Sequence, residues 1–446
     1  MRRLFIFTVV GVMLFGAIGA SISQAQTASQ KPITLWTKYN DQNPDPKAPA
    51  TDKWIVAALK DYKTTTGNDA KNVVQPFDQI NAKLNIAVQA KGDVPDLSYV
   101  DSQQLGFFTQ NGTLTDLTEY VKGAPWFDDV DPKALAACTG LDGKIYCVPT
   151  GIQNHFVYYW KALYPNGFPA TTDALLAAAK DLKAKNKFAL TFKGAEASSV
   201  ERVYYGLILS YGGTIANEKG EATWANDKTL EVVKFVRAMF AGDYSPKVSL
   251  APGFDNEEPF KSGDAAAFIA GSYSYVYLTP LTAPDGTKYE QQPPDSGFDK
   301  DAIAVGAAAK DGKLDFAPPL AAPGGKPTSL ILATAYGIPV GAKNVDGAEA
   351  FIDYQMQTAQ QVSYAGAAGA LPSALSAAKD PTFSSPYWQA VAKYVKEDGV
   401  PGPTLKDYDK GLKLLSDAMV KLATDPNLDP MATLKAAQDE YNAGLQ

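Results

Sequence analysis

Residues Phe260–Tyr275 read FKSGDAAAFIAGSYSY: the end of a helix, a turn led by Gly263, an apolar run from Ala265 to Ala270, then Gly271 and a series of hydroxyl-bearing and aromatic side chains. A run this short and this apolar suits a strand of a parallel sheet covered on both faces. Open α/β sheets hold ligands in the crevice beside the carboxyl ends of their strands, so Ser272, Tyr273 and Tyr275 stand where a binding loop belongs. By residue type alone the same tyrosines suit a core equally well, because Tyr is intermediate in burial and its hydroxyl needs a partner wherever the ring goes.

On either side of this stretch, strand and helix patterns alternate. Ile33-Thr34-Leu35-Trp36 reads as a first strand that opens into the Asn/Asp/Pro-rich loop Tyr39 to Pro49. Trp54, Ala58 and Tyr62 then recur at helical spacing, and Gly67 stops the helix. A second helix near 79–90 leads to the strand Pro95 to Val100, whose end carries Asp101, Ser102 and Gln103. Helices follow over 172–185 and 230–240, the latter ended by Gly242. Asp346 and Glu349 fit a capping box with the aspartate at the N-cap, and Asp429-Pro430 fits an N-cap and first helical position. The grammar is α/β, and 446 residues suggest two domains.

Arg2 and Arg3 precede an apolar run from Leu4 to Ile18, and Ser23-Gln24-Ala25 supplies small residues at a cleavage point. Residues 1–25 are therefore read as a secretory signal peptide cut after Ala25, which implies a periplasmic location. No later stretch approaches the roughly 20 apolar residues of a membrane span. Cys138 and Cys147 flank the turn Leu141-Asp142-Gly143-Lys144 in an oxidising compartment and are read as a disulfide. The formal charge of −7, which becomes more negative once the two leader arginines are removed, leaves no basic footprint for nucleic acid. His155 is the single histidine, so a multi-histidine zinc site is excluded and a Ser-His-Asp triad would have to be built on it. No metal site and no cofactor is expected.

Several stretches together resemble the bacterial extracellular solute-binding proteins of family 1, the carbohydrate-binding components of ABC importers that include the maltodextrin-binding proteins. In order they are PDLSYVDSQQLGFFTQNGTLTDLTEYV, DGKIYCVPTGIQN followed by VYYWKALYPN, PATTDALLAAAKDLKAK, LSYGGTI, FKSGDAAAFIAGSY, and GIPVGAKNVDGAEAFIDYQM with GAAGALPS. Each motif alone is weak, but their common order spans nearly the whole chain behind the leader.

The resemblance implies two α/β lobes joined by crossing strands, with solute held in the cleft between them and delivered to a membrane permease by a monomer. Crossings near Val148 to Gln153 and near Leu278 would make lobe 1 residues 31–148 plus about 278–325, and lobe 2 residues 149–277 plus about 326–446. It implies ligand contacts from Tyr39, Asn40 and Asp41, from Asp101 or Gln103, from Gln153 and Asn154 on the hinge strand, and from Ser198 and Ser199. Tyr273 would take the aromatic stacking position, with Tyr275, Tyr336 and Tyr408 as further candidates. Sugars suit such a set, since their C–H faces stack on rings and their hydroxyls pair with Asp, Asn and Gln. Two other functions stay open: a secreted carbohydrate-active enzyme, and a ferric-iron or other small-solute binder using Tyr158, Tyr159 and His155.

Overall fold

The computed structural model describes residues 31–45, 49–77, 79–290 and 303–445, so the signal peptide expected at residues 1–25 lies outside the described residues. The chain begins with β1 (Ile33–Thr37), whose Ile33, Leu35 and Thr37 point inward. The helix Ala50–Thr66 follows and buries Trp54, Ile55, Ala58 and Tyr62, ending at Gly67 with φ 75°, a conformation that side-chain-bearing residues rarely adopt. Next come β2 (Ala70–Val74), the helix Ile80–Gln89 and β3 (Leu97–Asp101), with β2 and β3 each parallel to β1. The strand Leu332–Gly337 lies antiparallel to both β3 and β4 (Val148–Gln153), and Leu371–Pro372 closes the edge of this six-stranded sheet.

A second sheet of four strands has the order Leu314–Ala317, β5 (His155–Trp160), β7 (Ala267–Gly271), β6 (Thr191–Phe192). The apolar strand of the opening motif is β7, buried at every residue, but the sheet is mixed: β7 runs parallel to β6 and antiparallel to β5. An apolar run reports burial on two faces and carries no information about neighbour direction. The helices Tyr408–Thr424 and Pro430–Ala443 pack Leu412, Leu415, Met419 and Leu434 into the core of this second lobe.

Strand pairing corrects the expected lobe boundaries. β4 belongs to the first sheet and β5 to the second, so the first crossing falls at Asn154. Of the expected 278–325, the described residues 278–290 and 303–317 join the second lobe, because Leu278, Leu281, Tyr289 and Leu314 share a core with Phe156, Tyr158 and Trp160, and Leu314–Ala317 pairs with β5. The second crossing therefore lies within 318–331, well after Leu278. The stretch after 326 then enters the first sheet at Leu332, and a third passage returns the chain to the second lobe, where Trp388 and Val391 pack beside Phe156.

Local chemistry at the element ends follows the sequence with one change. Asp429 caps its helix by accepting from the amide of Ala432, as expected, but the helix Val345–Gln355 is capped by Asn344, which accepts from Gly347, and not by Asp346. Cys138 and Cys147 are joined in a disulfide packed beside Leu84, Val100 and Phe108.

Candidate functional site

Side chains from both lobes meet where the loops beyond β1, β3 and β7 converge on the start of β5 and the first crossing. On the first lobe, Lys38 lies with its ammonium 4.5 Å from the ring centre of Tyr99 and 4.4 Å from that of the exposed Phe77. Burial pulls the Lys38 ammonium below its ordinary range, with the Asp101 carboxylate opposing that effect. Asp101 is half-buried and accepts a 2.6 Å hydrogen bond from the Tyr99 hydroxyl.

On the second lobe, Glu201 and Arg202 sit consecutively in a π-helical turn, Val200–Tyr204. Such turns widen the backbone and recur at functional positions. The turn is entered from Glu196, a non-glycine residue at φ 66° and ψ 164°. Backbone of this kind costs on the order of 1–3 kcal/mol and persists only where its surroundings hold it. They do so here: the fully buried Lys193 bonds both the Glu196 carboxylate and the carbonyl of Gly253, and the Gly253 amide donates to the same carboxylate at 3.1 Å. This brace fixes Phe254, an exposed ring, beside Arg202.

Tyr273 follows β7, and its ring packs so closely over Gly271 that a Cβ there would lie 2.0 Å from it. Glycine is needed at 271 for close approach, its φ of −80° being ordinary. The Tyr273 hydroxyl lies 3.3 Å from Nε2 of His155, and the Arg202 guanidinium lies 5.2 Å from the ring centre. Burial pushes the Tyr273 hydroxyl up to about 12. It also pushes the Glu201 carboxyl up to about 7, against the pull of the Tyr408 hydroxyl, which donates to it at 3.0 Å. Glu257 and Asp409 are likewise raised, chiefly by burial. His155 is held well below its ordinary value by burial and by the nearby Arg202 charge.

The residues expected to bind solute divide sharply. Tyr273 and Asp101 lie on this cleft, and Gln103, two residues beyond Asp101, has its Oε1 buried without a partner among the described residues. Asn154 marks the first crossing; it is fully buried, and neither side-chain atom finds a partner among the described residues. Beside it His155 Nδ1 and Ser272 Oγ are also unpaired, and Ser272 donates its amide to the Asn154 carbonyl at 3.1 Å. Each such group costs about 1–3 kcal/mol. Gln153 reaches the carbonyl of Ala368 at 3.3 Å.

Tyr39, Asn40 and Asp41 are largely occupied in bracing their own loop. The Tyr39 hydroxyl pairs with that of Tyr364 at 2.8 Å, the Asn40 amide donates to Asp52, and Asp41 accepts from Asn72 at 3.0 Å.

Four expected contacts move into the protein. Tyr275 is fully buried and stacks on Tyr387 with ring centres 4.2 Å apart, because the 3₁₀ turn Ser272–Val276 does not keep the two-residue alternation of an extended chain. Tyr336 lies on a central strand and packs against Phe351 in the first core. Ser199 is buried against Ser416 at 2.8 Å, while Ser198 remains half-buried. Tyr408 is buried and touches the cleft only through Glu201.

The tyrosines proposed as iron ligands do not converge. The Tyr158 hydroxyl donates to the Gly271 carbonyl and contacts that of Tyr387, whereas Tyr159, one residue on and therefore on the other face of β5, donates to Asp315. No group of three or more His, Cys, Asp or Glu side chains among the described residues could hold a metal ion.

Sequence reading missed Lys38, Glu201, Arg202, Phe254, Glu257 and Asp409. A signal for one of them existed: arginine occurs only at positions 2, 3, 202 and 237, so each instance outside the leader merits a reason. A groove of about 510 Å³ elsewhere on the second lobe, between Ser210–Gly212 and Ala322–Lys326, is lined by none of the residues with unpaired buried polar atoms. A much smaller cavity of about 20 Å³ lies behind Glu201 and Arg202, against His155, Leu320 and Ser329.

Residues 57–393 match the model of a family described as bacterial extracellular solute-binding protein. The fold is similar to that of the GacH receptor of Streptomyces glaucescens, solved unliganded and with acarbose, at TM-score 0.74 and 19% identity over 93% of this chain and 98% of that one. It is also similar to an ABC transporter solute-binding protein of Thermotoga lettingae bound with α-D-tagatose, at TM-score 0.73 and 20% identity over 94% and 100% of the two chains. One from Agrobacterium radiobacter in complex with ribitol gives 0.71 and 19% over 93% and 99%.

Proposed function

The chain belongs to the bacterial extracellular solute-binding proteins, and on that premise we propose that it is the capture receptor of an ABC importer, binding a sugar, oligosaccharide or polyol between its lobes. In this reading residues 1–25 direct export and are removed after Ala25. The mature protein then diffuses in the periplasm as a monomer and hands its solute to a membrane permease. No helix of the described residues is long and apolar enough to cross a membrane.

One observation carries the reading: aromatic rings and hydrogen-bonding groups with unfilled capacity share one cleft. Tyr273, Phe254 and Phe77 offer ring surface, while Asp101 and Glu201 each accept a single protein hydrogen bond and Arg202 donates none among the described residues. A carboxylate can accept about four hydrogen bonds and a guanidinium donates five, so a hydroxyl-rich solute is the chemical complement. The surroundings of His155 favour a receptor over a hydrolase, because its Nε2 meets a tyrosine hydroxyl and its Nδ1 meets no carboxylate among the described residues.

Thermal unfolding against ribitol, tagatose, maltose and maltotriose tests this. A true solute at one hundred times its Kd raises stability by about 2.7 kcal/mol. Stabilisation by at least one of them without turnover is expected; no stabilisation together with hydrolysis of a glycoside would make the protein an enzyme.

A further inference from the structure

Arg237 and Arg202 are the only arginines beyond the leader, and they are used in opposite ways. Arg237 is engaged by protein: its Nε donates to the carbonyl of Leu422 at 2.7 Å, and one terminal nitrogen donates to those of Asp425 and Leu428. It ties the end of the helix Tyr408–Thr424 to the loop that follows. Arg202 makes no hydrogen bond and no ion pair with any described residue, yet it is half-buried and its position is heavily specified. Its guanidinium lies 5.4 Å from the ring centre of Phe254 and 5.2 Å from that of Tyr273. The π-helical turn presents it, and the Lys193–Glu196–Gly253 brace fixes the Phe254 side. Rings that engage the flat cation restrain it while leaving its N–H edges free to donate.

We infer that Arg202 is a specificity-determining residue of the cleft, its planar fork donating to an adjacent pair of neutral hydroxyl groups on the solute while Glu201 and Glu257 accept from those hydroxyls. The assignment rests on the receptor reading above. Its ligand class follows from charge. A lone guanidinium would call for a carboxylate or phosphate, but Arg202 already lies in the field of Glu201 and Glu257, Glu196 being paired with Lys193. Across the cleft stands the Asp101 carboxylate, within range of Glu201 and Asp409, with the Lys38 ammonium, drawn below its ordinary range by burial, beside it. An anionic solute would meet these acids, whereas a neutral diol meets a donor fork with acceptors beside it. The half-buried state of Glu201 and Arg202 leaves both within reach of solute. The cation also lies against the Tyr273 ring that sequence reasoning reserved for sugar stacking, so the solute is read here by a hydroxyl edge, and ring stacking shifts outward toward the exposed Phe254.

The test uses the mature protein and whichever of ribitol, tagatose, maltose and maltotriose stabilises the wild type most. Arg202→Gln should weaken that solute by about tenfold or more, as expected for loss of hydrogen bonds from a charged donor, while the unliganded melting temperature stays within about 2 °C, since no protein acceptor is abandoned. Arg202→Lys, which keeps the charge and the stem but not the fork, should weaken it by a smaller factor and guards against a glutamine variant that fails to fold. The wild type should also prefer the neutral solute to its carboxylate-bearing oxidation product. Unchanged affinity in both variants, or tighter binding of the carboxylate form, overturns the assignment of Arg202 and leaves the receptor reading intact. Failure of every solute to stabilise the wild type overturns the receptor reading itself, and this assignment with it.

Discussion

Tyr273 and Tyr275 are two residues apart on one short turn and belong to different parts of the molecule. Tyr273 stays on the cleft, half-buried over Gly271 with a guanidinium near its ring and a histidine at its hydroxyl. Tyr275 turns inward and stacks on Tyr387, with Trp388 5.6 Å away, inside the second lobe's core. The same residue type therefore lines the cleft in one place and serves cohesion in the other. The pattern of partners tells them apart: core rings meet rings, whereas the cleft ring meets charged and titratable groups.

That division is most easily broken by truncating each ring. Tyr275→Ala should destabilise the protein by about 3–5 kcal/mol, the range for removing a large buried aromatic side chain. Tyr273→Ala should instead lower solute affinity by about tenfold with little change in stability. Denaturant unfolding and titration calorimetry on both variants decide it, and exchanged results would exchange the two roles.

The disulfide should behave as a core element. Replacing Cys138 and Cys147 together by Ser should lower stability by about 2–3 kcal/mol, since the closed loop is short, with solute affinity unchanged. A change in affinity would connect that turn to the cleft.

Gly106 offers a smaller and sharper probe, because it lies where the lobes touch. A Cβ at this position would stand 2.5 Å from the carbonyl oxygen of Leu405 on the opposite lobe. Gly106→Ala should weaken solute binding several-fold by opposing lobe approach, at an overpacking cost of about 1–3 kcal/mol. Small-angle scattering of the unliganded variant should show the lobes further apart; unaltered scattering and affinity would mean that the contact yields without consequence.

The smallest expected effect is in pH. Glu201 has a folded pKa of about 7 against an ordinary 4.5, so the folded state holds an extra proton between those values and stability falls as pH rises through that window. Glu201→Gln should therefore show a shallower decline in stability between pH 5 and 7 than the wild type. The difference should be about 1 kcal/mol or less, since the group is partly solvated. Glu257, Asp409 and Asp398 are also raised and keep a residual slope in the variant. Equal slopes would place the Glu201 carboxyl in open solvent.

The fold class was legible from short-range physics. The helix through Trp54, Ala58 and Tyr62 with its Gly67 stop, the buried strand before Gly271, and the Asp429-Pro430 cap all depend on residues within a few positions of one another. The lining of the candidate cleft was legible only where a loop followed such an element directly, as at Asp101 and Tyr273. It was hidden at Lys38, Glu201 and Arg202, because a lone charge in sequence does not reveal whether a ring or a carboxylate will face it. Ordered motifs identified the family, but lobe membership lay beyond them, since the short strand Leu314–Ala317 could have paired in either sheet.

Sequence by itself determined the α/β grammar, the acidic character of the chain, the pairing of its two cysteines and the turn from which Tyr273 emerges. Tertiary structure alone decided that 278–290 and 303–317 belong to the second lobe, that Tyr275 and Tyr336 fill cores, and that Arg202 stands among rings with its donors unpaired among the described residues. The physical reason is range. Periodicity, capping and turn chemistry act over a few residues along the chain, whereas strand partners, burial and electrostatic neighbours are fixed by groups as distant in sequence as Glu201 and Tyr408, which meet only when the whole chain has folded.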